Sequence, residues 1–132
     1  RIIPTYNSAK EARAQHRPDF LNPWFGDSRG WYENATLIVE TININPKQMR
    51  ESPVPITATG KITERFSRYG VNEIFYQFTV DDPKVYRQPW TAELSFYPSQ
   101  GPVYEYACHE GNYAMTGILA GARREEAEAA RE

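Results

Sequence analysis

The sequence has little that points directly to a chemical activity. It contains one cysteine, two histidines and two methionines among its 132 residues. A single cysteine cannot form a disulfide within the chain, so cysteine usage does not indicate a redox compartment. No apolar run approaches the ~20 residues that a membrane-spanning helix needs. Lysine and arginine are scattered at a formal net charge of -2, whereas a nucleic-acid-binding protein needs a concentrated basic surface. The sequence therefore predicts no membrane span and no nucleic-acid partner.

Aromatic residues, proline and glycine are abundant. The chain has nine Tyr, six Phe and three Trp, with ten Pro and eight Gly. Aromatic and β-branched residues favour strands, while proline and glycine favour the turns between them. Composition thus predicts one mainly β domain.

Two segments alternate apolar and polar residues with the period of a strand. They cover positions 73–81 and 90–97. This alternation is typical of a half-buried antiparallel strand. It predicts a buried row made of Ile74, Tyr76, Phe78, Val80, Trp90, Ala92, Leu94 and Phe96. It predicts an exposed row that includes Gln77, Thr79, Glu93 and Ser95.

The predicted fold is a five-strand antiparallel meander, part of a barrel or sandwich, followed by a C-terminal helix. The strands are expected near 35–44, 61–69, 73–81, 90–97 and 103–108. Three regions follow: an extended or short helical arm at 1–23, the meander domain at 24–112 and the helix at 113–132. Within the arm, Ser8 is the expected N-cap of a short helix, and Glu11 completes its capping box. Residues 22–30 are expected to form a turn-rich loop.

The sharpest candidate for chemistry is the tripeptide Cys108-His109-Glu110. Neighbouring residues in a strand point to opposite faces, so His109 is not expected to activate the Cys108 thiol. The second cysteine of a haem attachment motif and the further ligands of a zinc site are missing nearby. We therefore predict that Cys108 is structural and that the chain holds no metal and no cofactor. The candidates for a catalytic set are His109, Glu110 and Asp27.

Large aromatic residues near turns are candidates for a binding surface, although such residues also fill cores. The binding candidates are Trp24, Phe25, Trp31, Tyr104, Tyr106 and Tyr113. A meander with one apolar face needs a cover, and the terminal helix, rich in alanine and charge, supplies little of it. This predicts that another protein chain is a partner.

Several longer motifs resemble a group of uncharacterised secreted proteins of environmental bacteria. The similarity spans about positions 24–124 and includes Gly-Asp-Ser-Arg-Gly at 26–30, Glu-Arg-Phe at 64–66, Tyr-x-Phe-Thr-Val-Asp-Asp-Pro at 76–83, Arg-x-Pro-Trp-Thr at 87–91 and Tyr-Glu-Tyr-Ala-Cys-His-Glu-Gly-Asn-Tyr at 104–113. At 32–35 the chain has Tyr-Glu-Asn-Ala, where the group tends to have Trp-Glu-Gly-Asp. The resemblance implies export to the periplasm or the exterior. It also implies that the chain is the C-terminal part of a longer protein or a shortened relative, and it carries no activity with it.

The expected function is a non-catalytic binding or accessory subunit of a larger periplasmic or extracellular assembly. The open apolar face, the unpaired cysteine and the incomplete catalytic set favour this interpretation. The alternative is a small hydrolase or lyase that acts on carbohydrate or aromatic compounds through His109, Glu110 and Asp27.

Overall fold

A computed structural model of the chain describes residues 1–47, 53–102, 104 and 114–130. The chain divides into two compact units, Arg1–Pro98 and Ser99–Glu132. The described elements, in chain order, are β1 (Thr5–Tyr6), α1 (Ala9–Ala14), β2 (Asp27–Glu33), β3 (Thr36–Ile42), β4 (Lys61–Gly70), β5 (Glu73–Asp81), β6 (Trp90–Phe96) and α2 (Ala114–Ala129).

The strands of the first unit form one open, six-stranded sheet in the order β1-β2-β3-β4-β5-β6. Strand β1 runs parallel to β2, and every other neighbouring pair is antiparallel. The expectation of a mainly β fold with a C-terminal helix is confirmed. The expectation of five strands, all antiparallel, is wrong, because β1 and β2 add to the sheet and one of its pairings is parallel.

Strand β2 occupies part of the segment that we expected to be a loop. Its first residues are Asp27, Ser28, Arg29 and Gly30, all of them buried. A buried strand is normally recognised in a sequence by its apolar residues. Here the buried side chains are polar and have partners inside the protein, so the sequence pattern does not reveal the strand. The predicted arm at 1–23 joins the sheet through β1. The predicted fifth strand at 103–108 lies outside the described residues.

Helix α1 begins as its sequence predicts. The Ser8 hydroxyl accepts a hydrogen bond from the backbone N–H of Glu11 at 3.2 Å. The Glu11 carboxylate turns back to accept from the backbone N–H of Asn7 at 3.2 Å, one residue before the position of a standard capping box. This cap starts a helix of only six residues, and packing on the sheet has to supply the rest of its stability.

The meander follows the predicted strand positions closely. Segments 61–69, 73–81 and 90–97 are strands β4, β5 and β6, and the segment at 35–44 contains β3. The turn before β3 carries Asn34 at a φ of 55°, a left-handed conformation that asparagine tolerates better than most residues. Sharp turns of this kind place successive strands side by side.

Two small cores cover opposite faces of the sheet. On the face that we call the α1 face, Ala12 packs with Trp31 and Ile38, and Tyr6 and Ala9 pack around them. On the opposite face, which we call the aromatic face, Ile44 and Ile56 cover Val80. The partly buried residues around this second core are Val54, Ile62, Phe78, Tyr86 and Trp90.

The pairing of β5 with β6 agrees with the prediction that their alternating residues form one row on each face, but the predicted burial is only partly right. Ile74 lies opposite Phe96, Tyr76 opposite Leu94, Phe78 opposite Ala92 and Val80 opposite Trp90. Of these eight residues only Val80 is buried, while Ile74, Leu94 and Phe96 are 42–44% exposed. In the row expected to be exposed, Glu93 is exposed, whereas Gln77, Thr79 and Ser95 are half-buried. The cover supplied by Ile44 and Ile56 ends near Val80, so the far end of the aromatic face stays open.

The second unit contributes helix α2. Its apolar residues Met115, Ile118 and Leu119 are exposed by 65%, 64% and 48%. They recur at the three- and four-residue spacing of one helix face.

Among the described residues, no helix has the length and apolar character required to cross a membrane.

Candidate functional site

The sequence-predicted site residues divide into two groups. The described ones are Trp24, Phe25, Asp27, Trp31 and Tyr104. Five others lie outside the described residues: Tyr106, Cys108, His109, Glu110 and Tyr113. Tyr104 is 83% exposed. The expected structural role of Cys108 and the catalytic candidacy of His109 and Glu110 therefore stay predictions.

The aromatic face carries a continuous row of stacked rings across strands β4 to β6. The Tyr76 ring lies in the middle, with its centroid 4.7 Å from that of Phe66, 5.8 Å from Phe78 and 5.1 Å from Phe96. The β-strand alternation places these side chains on one face, and the strand register places Phe66 directly opposite Tyr76 and Phe96 on the diagonal from it. The row presents a largely apolar surface about three strands wide.

At the covered end the row turns into edge-to-face contacts. The Trp90 ring meets Phe78 at 5.6 Å and Tyr86 at 5.7 Å, with interplanar angles of 72° and 74°. Tyr86 donates its hydroxyl proton to the backbone carbonyl of Pro55 at 2.8 Å. These contacts fix one end of the row firmly, because aromatic pairs gain energy beyond the burial of their area.

One ion pair lies within this apolar face. The buried Glu64 carboxylate accepts from the Arg1 guanidinium at 2.6 Å and from the Tyr76 hydroxyl at 2.9 Å. Burial raises the pKa of the Tyr76 hydroxyl, and its hydrogen bond to Glu64 and the negative charge there raise it further. Tyr76 therefore stays a neutral donor, and Glu64 fixes the orientation of the central ring.

The open end of the aromatic face borders a shallow cavity of about 240 Å³. It is lined by the β4–β5 turn and the end of β6, including Val71, Ile74, Phe96 and Tyr97. Val71 is 85% exposed and Tyr97 is 68% exposed. Apolar side chains at this exposure, next to the ring row, extend the surface available to a ligand or partner.

A second opening lies at the N-terminal end of β2. This cleft of about 330 Å³ is lined by Arg1, Arg17, Trp24, Phe25 and Asp27, among others. The rings of Trp24 and Phe25 are 53% and 57% exposed. These two binding candidates therefore do face solvent, in a cleft lined by three arginines.

The Asp27 carboxylate is the centre of a buried ion network and is only 3% exposed. Its Oδ1 atom lies 2.7 Å from the Arg29 guanidinium. Its Oδ2 atom accepts from His16 Nδ1 at 2.9 Å and from the backbone N–H of Arg17 at 2.8 Å. Both oxygens are occupied, so Asp27 acts here as an anchor that ties the α1 segment to β2.

Glu40 is the second acidic residue of this network. It accepts two hydrogen bonds of 3.1 Å from the Arg13 guanidinium, one at each oxygen. The His16 Nε2 atom lies 3.8 Å from Glu40 Oε1 and has no hydrogen-bond partner. The Arg29 guanidinium completes the network by donating to the Gln15 carbonyl at 2.9 Å and 3.0 Å. The charged side chains of α1, β2 and β3 thus pair with one another on the α1 face.

Two buried aspartates make the folding stability of the protein depend on pH in the acid range. Burial alone raises the pKa of Asp27, but hydrogen bonds from Arg17 and His16 and the charge of Arg29 outweigh it and hold the pKa below the ordinary value of 3.8. For Asp82, burial likewise raises the pKa, but hydrogen bonds from Thr57 and Lys84 outweigh it and hold the pKa below 3.8. Each carboxylate therefore contributes stability above its ordinary pKa, and that contribution is lost as the pH falls through the lower folded-state pKa.

We expect the urea midpoint to fall as the pH drops below about 4. The D82N variant should show a shallower acid dependence, because one of the two responsible carboxylates is gone. The D19N variant serves as control, since Asp19 is exposed, and it should follow the wild-type curve. Equal acid dependence in D82N and wild type would contradict the assignment.

Trp31 does not have the binding role expected for it. It is only 3% exposed beneath α1, and its Nε1 atom donates to Glu33 at 2.9 Å. The Arg13 guanidinium lies 5.3 Å from the ring centroid, a cation–π distance. Burial removes Trp31 from the predicted binding surface and makes it a core residue.

Sequence reasoning missed His16 and Glu40, and it assigned the ring row to the core. His16 stands alone in the sequence, 11 positions from its partner Asp27, and no local pattern joins the two. Glu40 sits in a β-branched strand where a charge is normally a solvent-facing residue. The ring row did have a signal, the clean alternation of β5 and β6, but alternation reports which residues share a face and not whether that face is covered.

Within the described part of the chain, no group of three or more His, Cys, Asp or Glu side chains is placed to hold a metal ion. Comparison with known family models, curated proteins and solved structures finds no match to this chain. The functional argument therefore rests on the surfaces just described.

Proposed function

We propose that the chain is a non-catalytic binding domain, an accessory subunit of a larger periplasmic or extracellular assembly, and that a partner protein covers its aromatic face. The observation that carries the proposal is the exposure of Ile74, Leu94 and Phe96, at 42–44%, beside a row of packed rings. Contiguous apolar surface of this kind marks interaction sites in soluble proteins. The proposed location rests on the resemblance of the chain's motifs to those of secreted bacterial proteins.

The composition of the face fits a protein partner. Interface centres are enriched in aromatic residues and depleted in charge, and here the rings of Phe66, Tyr76 and Phe96 lie together. The Glu64–Arg1 pair within the row is already satisfied. A partner covering it would meet no unpaired charge there.

The alternative, a small hydrolase or lyase, depends on Asp27 acting together with His109 and Glu110. Asp27 does line the cleft beside Trp24 and Phe25, but both of its oxygens already hold partners. Its proposed companions, His109 and Glu110, lie outside the described residues. The open aromatic face therefore supports binding more directly than the cleft supports catalysis.

Site-specific photocrosslinking tests the proposal. The photoreactive residue p-benzoylphenylalanine replaces Leu94 in the whole chain, expressed in its cell of origin and irradiated there. We expect one defined protein adduct, recovered from the periplasmic or extracellular fraction. The same residue in place of Lys10, which is exposed on α1 over the opposite face, should not give that adduct. No adduct at 94, or the same adduct at both positions, would contradict a docking role for the aromatic face.

A further inference from the structure

Glu64 places a charged group in the middle of an apolar face. In the sheet register it lies opposite Val39 on one side and Phe78 on the other, and the residue is only 7% exposed. A carboxylate is costly to bury unless a cation and hydrogen bonds compensate for the water that it loses. The aromatic face therefore needs a cation at Glu64, whichever molecule supplies it.

The cation that pairs with Glu64 comes from a weakly attached segment. The Arg1 guanidinium donates to Glu64 at 2.6 Å, and 32% of the Arg1 side chain is exposed to solvent. Arg1 precedes β1, a strand of only two residues, and the adjacent Ile2 is 91% exposed. Arg1 can therefore leave Glu64 without breaking the sheet, and a competing cation can take its place.

The surroundings of the Glu64 carboxylate suit a planar cation. Its Oε1 atom accepts from the Tyr76 hydroxyl, while its Oε2 atom accepts from Arg1. A cavity of about 220 Å³ beside the pair is lined by Arg1, Ile62, Glu64, Tyr76 and Phe78, among others. Aromatic rings and a carboxylate together favour a guanidinium group, which is planar, weakly hydrated and attracted to ring faces. Lysine carries a compact, strongly hydrated charge and is the poorer fit.

We propose that Glu64 is the recognition site for an arginine side chain of the partner protein, and that Arg1 occupies this site until the partner binds. Arg1 shows that a guanidinium reaches Oε2, and it acts as a tethered competitor that the incoming arginine displaces. Glu64 is paired before and after the exchange, so no buried charge is left without a partner. This inference rests on the proposed function, because it names the group through which the partner engages the aromatic face.

A small arginine analogue tests the exchange in solution. The probe is N-acetylarginine methylamide, added to the whole 132-residue chain, and NMR follows the backbone amide shifts of residues 64, 76 and 78. The R1Q variant should bind the probe about fivefold more tightly than wild type, because its site is no longer occupied by the competitor. The E64Q variant keeps the shape of the side chain without its charge and should bind about tenfold more weakly. A purely structural ion pair predicts no gain in R1Q.

Matched controls isolate the guanidinium and the site. N-acetylcitrulline methylamide has the shape of the probe without its charge and should not bind. The R65Q variant removes an arginine from an exposed pair with Glu33 and should bind the probe like wild type. If R1Q is destabilised, the arginine probe should raise its melting temperature more than that of wild type. Equal binding of the probe by R1Q and wild type, or equal binding of the arginine and citrulline compounds, would overturn the proposal.

The crosslink at position 94 separates this inference from the broader proposal. With p-benzoylphenylalanine in place of Leu94, the E64Q change should reduce the yield of the partner adduct about fivefold. A full yield in E64Q would show that the partner covers the face without an arginine on Glu64, and the exchange alone would fail. Absence of the adduct with Glu64 intact would defeat both proposals.

Discussion

Replacement of Asp27 by asparagine should lower the free energy of unfolding by about 3–5 kcal/mol, because it removes one partner of a buried charge network. The substitution keeps the shape of the side chain, removes its charge and replaces one acceptor oxygen by an NH2 donor. Arg29, whose side chain is 9% exposed and 2.7 Å from Asp27, would then be a buried cation without its anion. Urea denaturation monitored by tryptophan fluorescence measures the loss.

The D81N variant is the matched control. Asp81 lies in β5 and is 3.9 Å from Lys61, with both side chains more than 40% exposed. Such solvent-exposed pairs contribute little, so its effect should stay below about 0.5 kcal/mol. Equal losses in D27N and D81N would show that the network around Asp27 is not a stabilising anchor.

Replacement of Gly26 by alanine should destabilise the protein by about 2–4 kcal/mol, through left-handed backbone strain and overpacking together. Gly26 has a φ of 74°, a conformation that L-amino acids with a side chain adopt at a cost. Its added methyl group would lie 2.7 Å from Thr41 Cγ2 and 2.9 Å from the Ile42 carbonyl oxygen. Since backbone cannot yield as a flexible side chain does, the turn that leads into β2 would have to shift.

Gly70 supplies the control for that substitution. A methyl group added there has no heavy atom within 4 Å, so G70A should be close to neutral in thermal unfolding. A loss in G70A as large as in G26A would point to a general intolerance of alanine rather than to the close approach at Gly26.

The sequence patterns that predicted structure correctly are those whose cause is local. Strands β5 and β6 followed from alternation, because a pleated strand sends successive side chains to opposite faces. Helix α1 followed from Ser8, because an N-cap acts within one turn. In each case the residues that determine the element are neighbours in the sequence.

The features that escaped prediction depend on partners distant in the sequence. Strand β2 is held by Arg29 and Asp27, whose polar side chains are buried only because His16 and Gln15 from another segment meet them. The parallel pairing of β1 with β2 has no local signature. The predicted burial of Ile74, Leu94 and Phe96 was wrong for the same reason, since alternation carries no information about how far the covering segment reaches.

The placement of the two cores on opposite faces of one sheet has a consequence for cooperativity. The cluster of Trp31 and Ile38 lies under α1, the cluster of Ile44 and Val80 lies on the other side, and strand β3 passes between them with Ile38 and Val39 both fully buried. Both clusters belong to one compact unit and are linked through this shared strand. A partner on the aromatic face would therefore stabilise β3 and, through it, the cluster beneath α1.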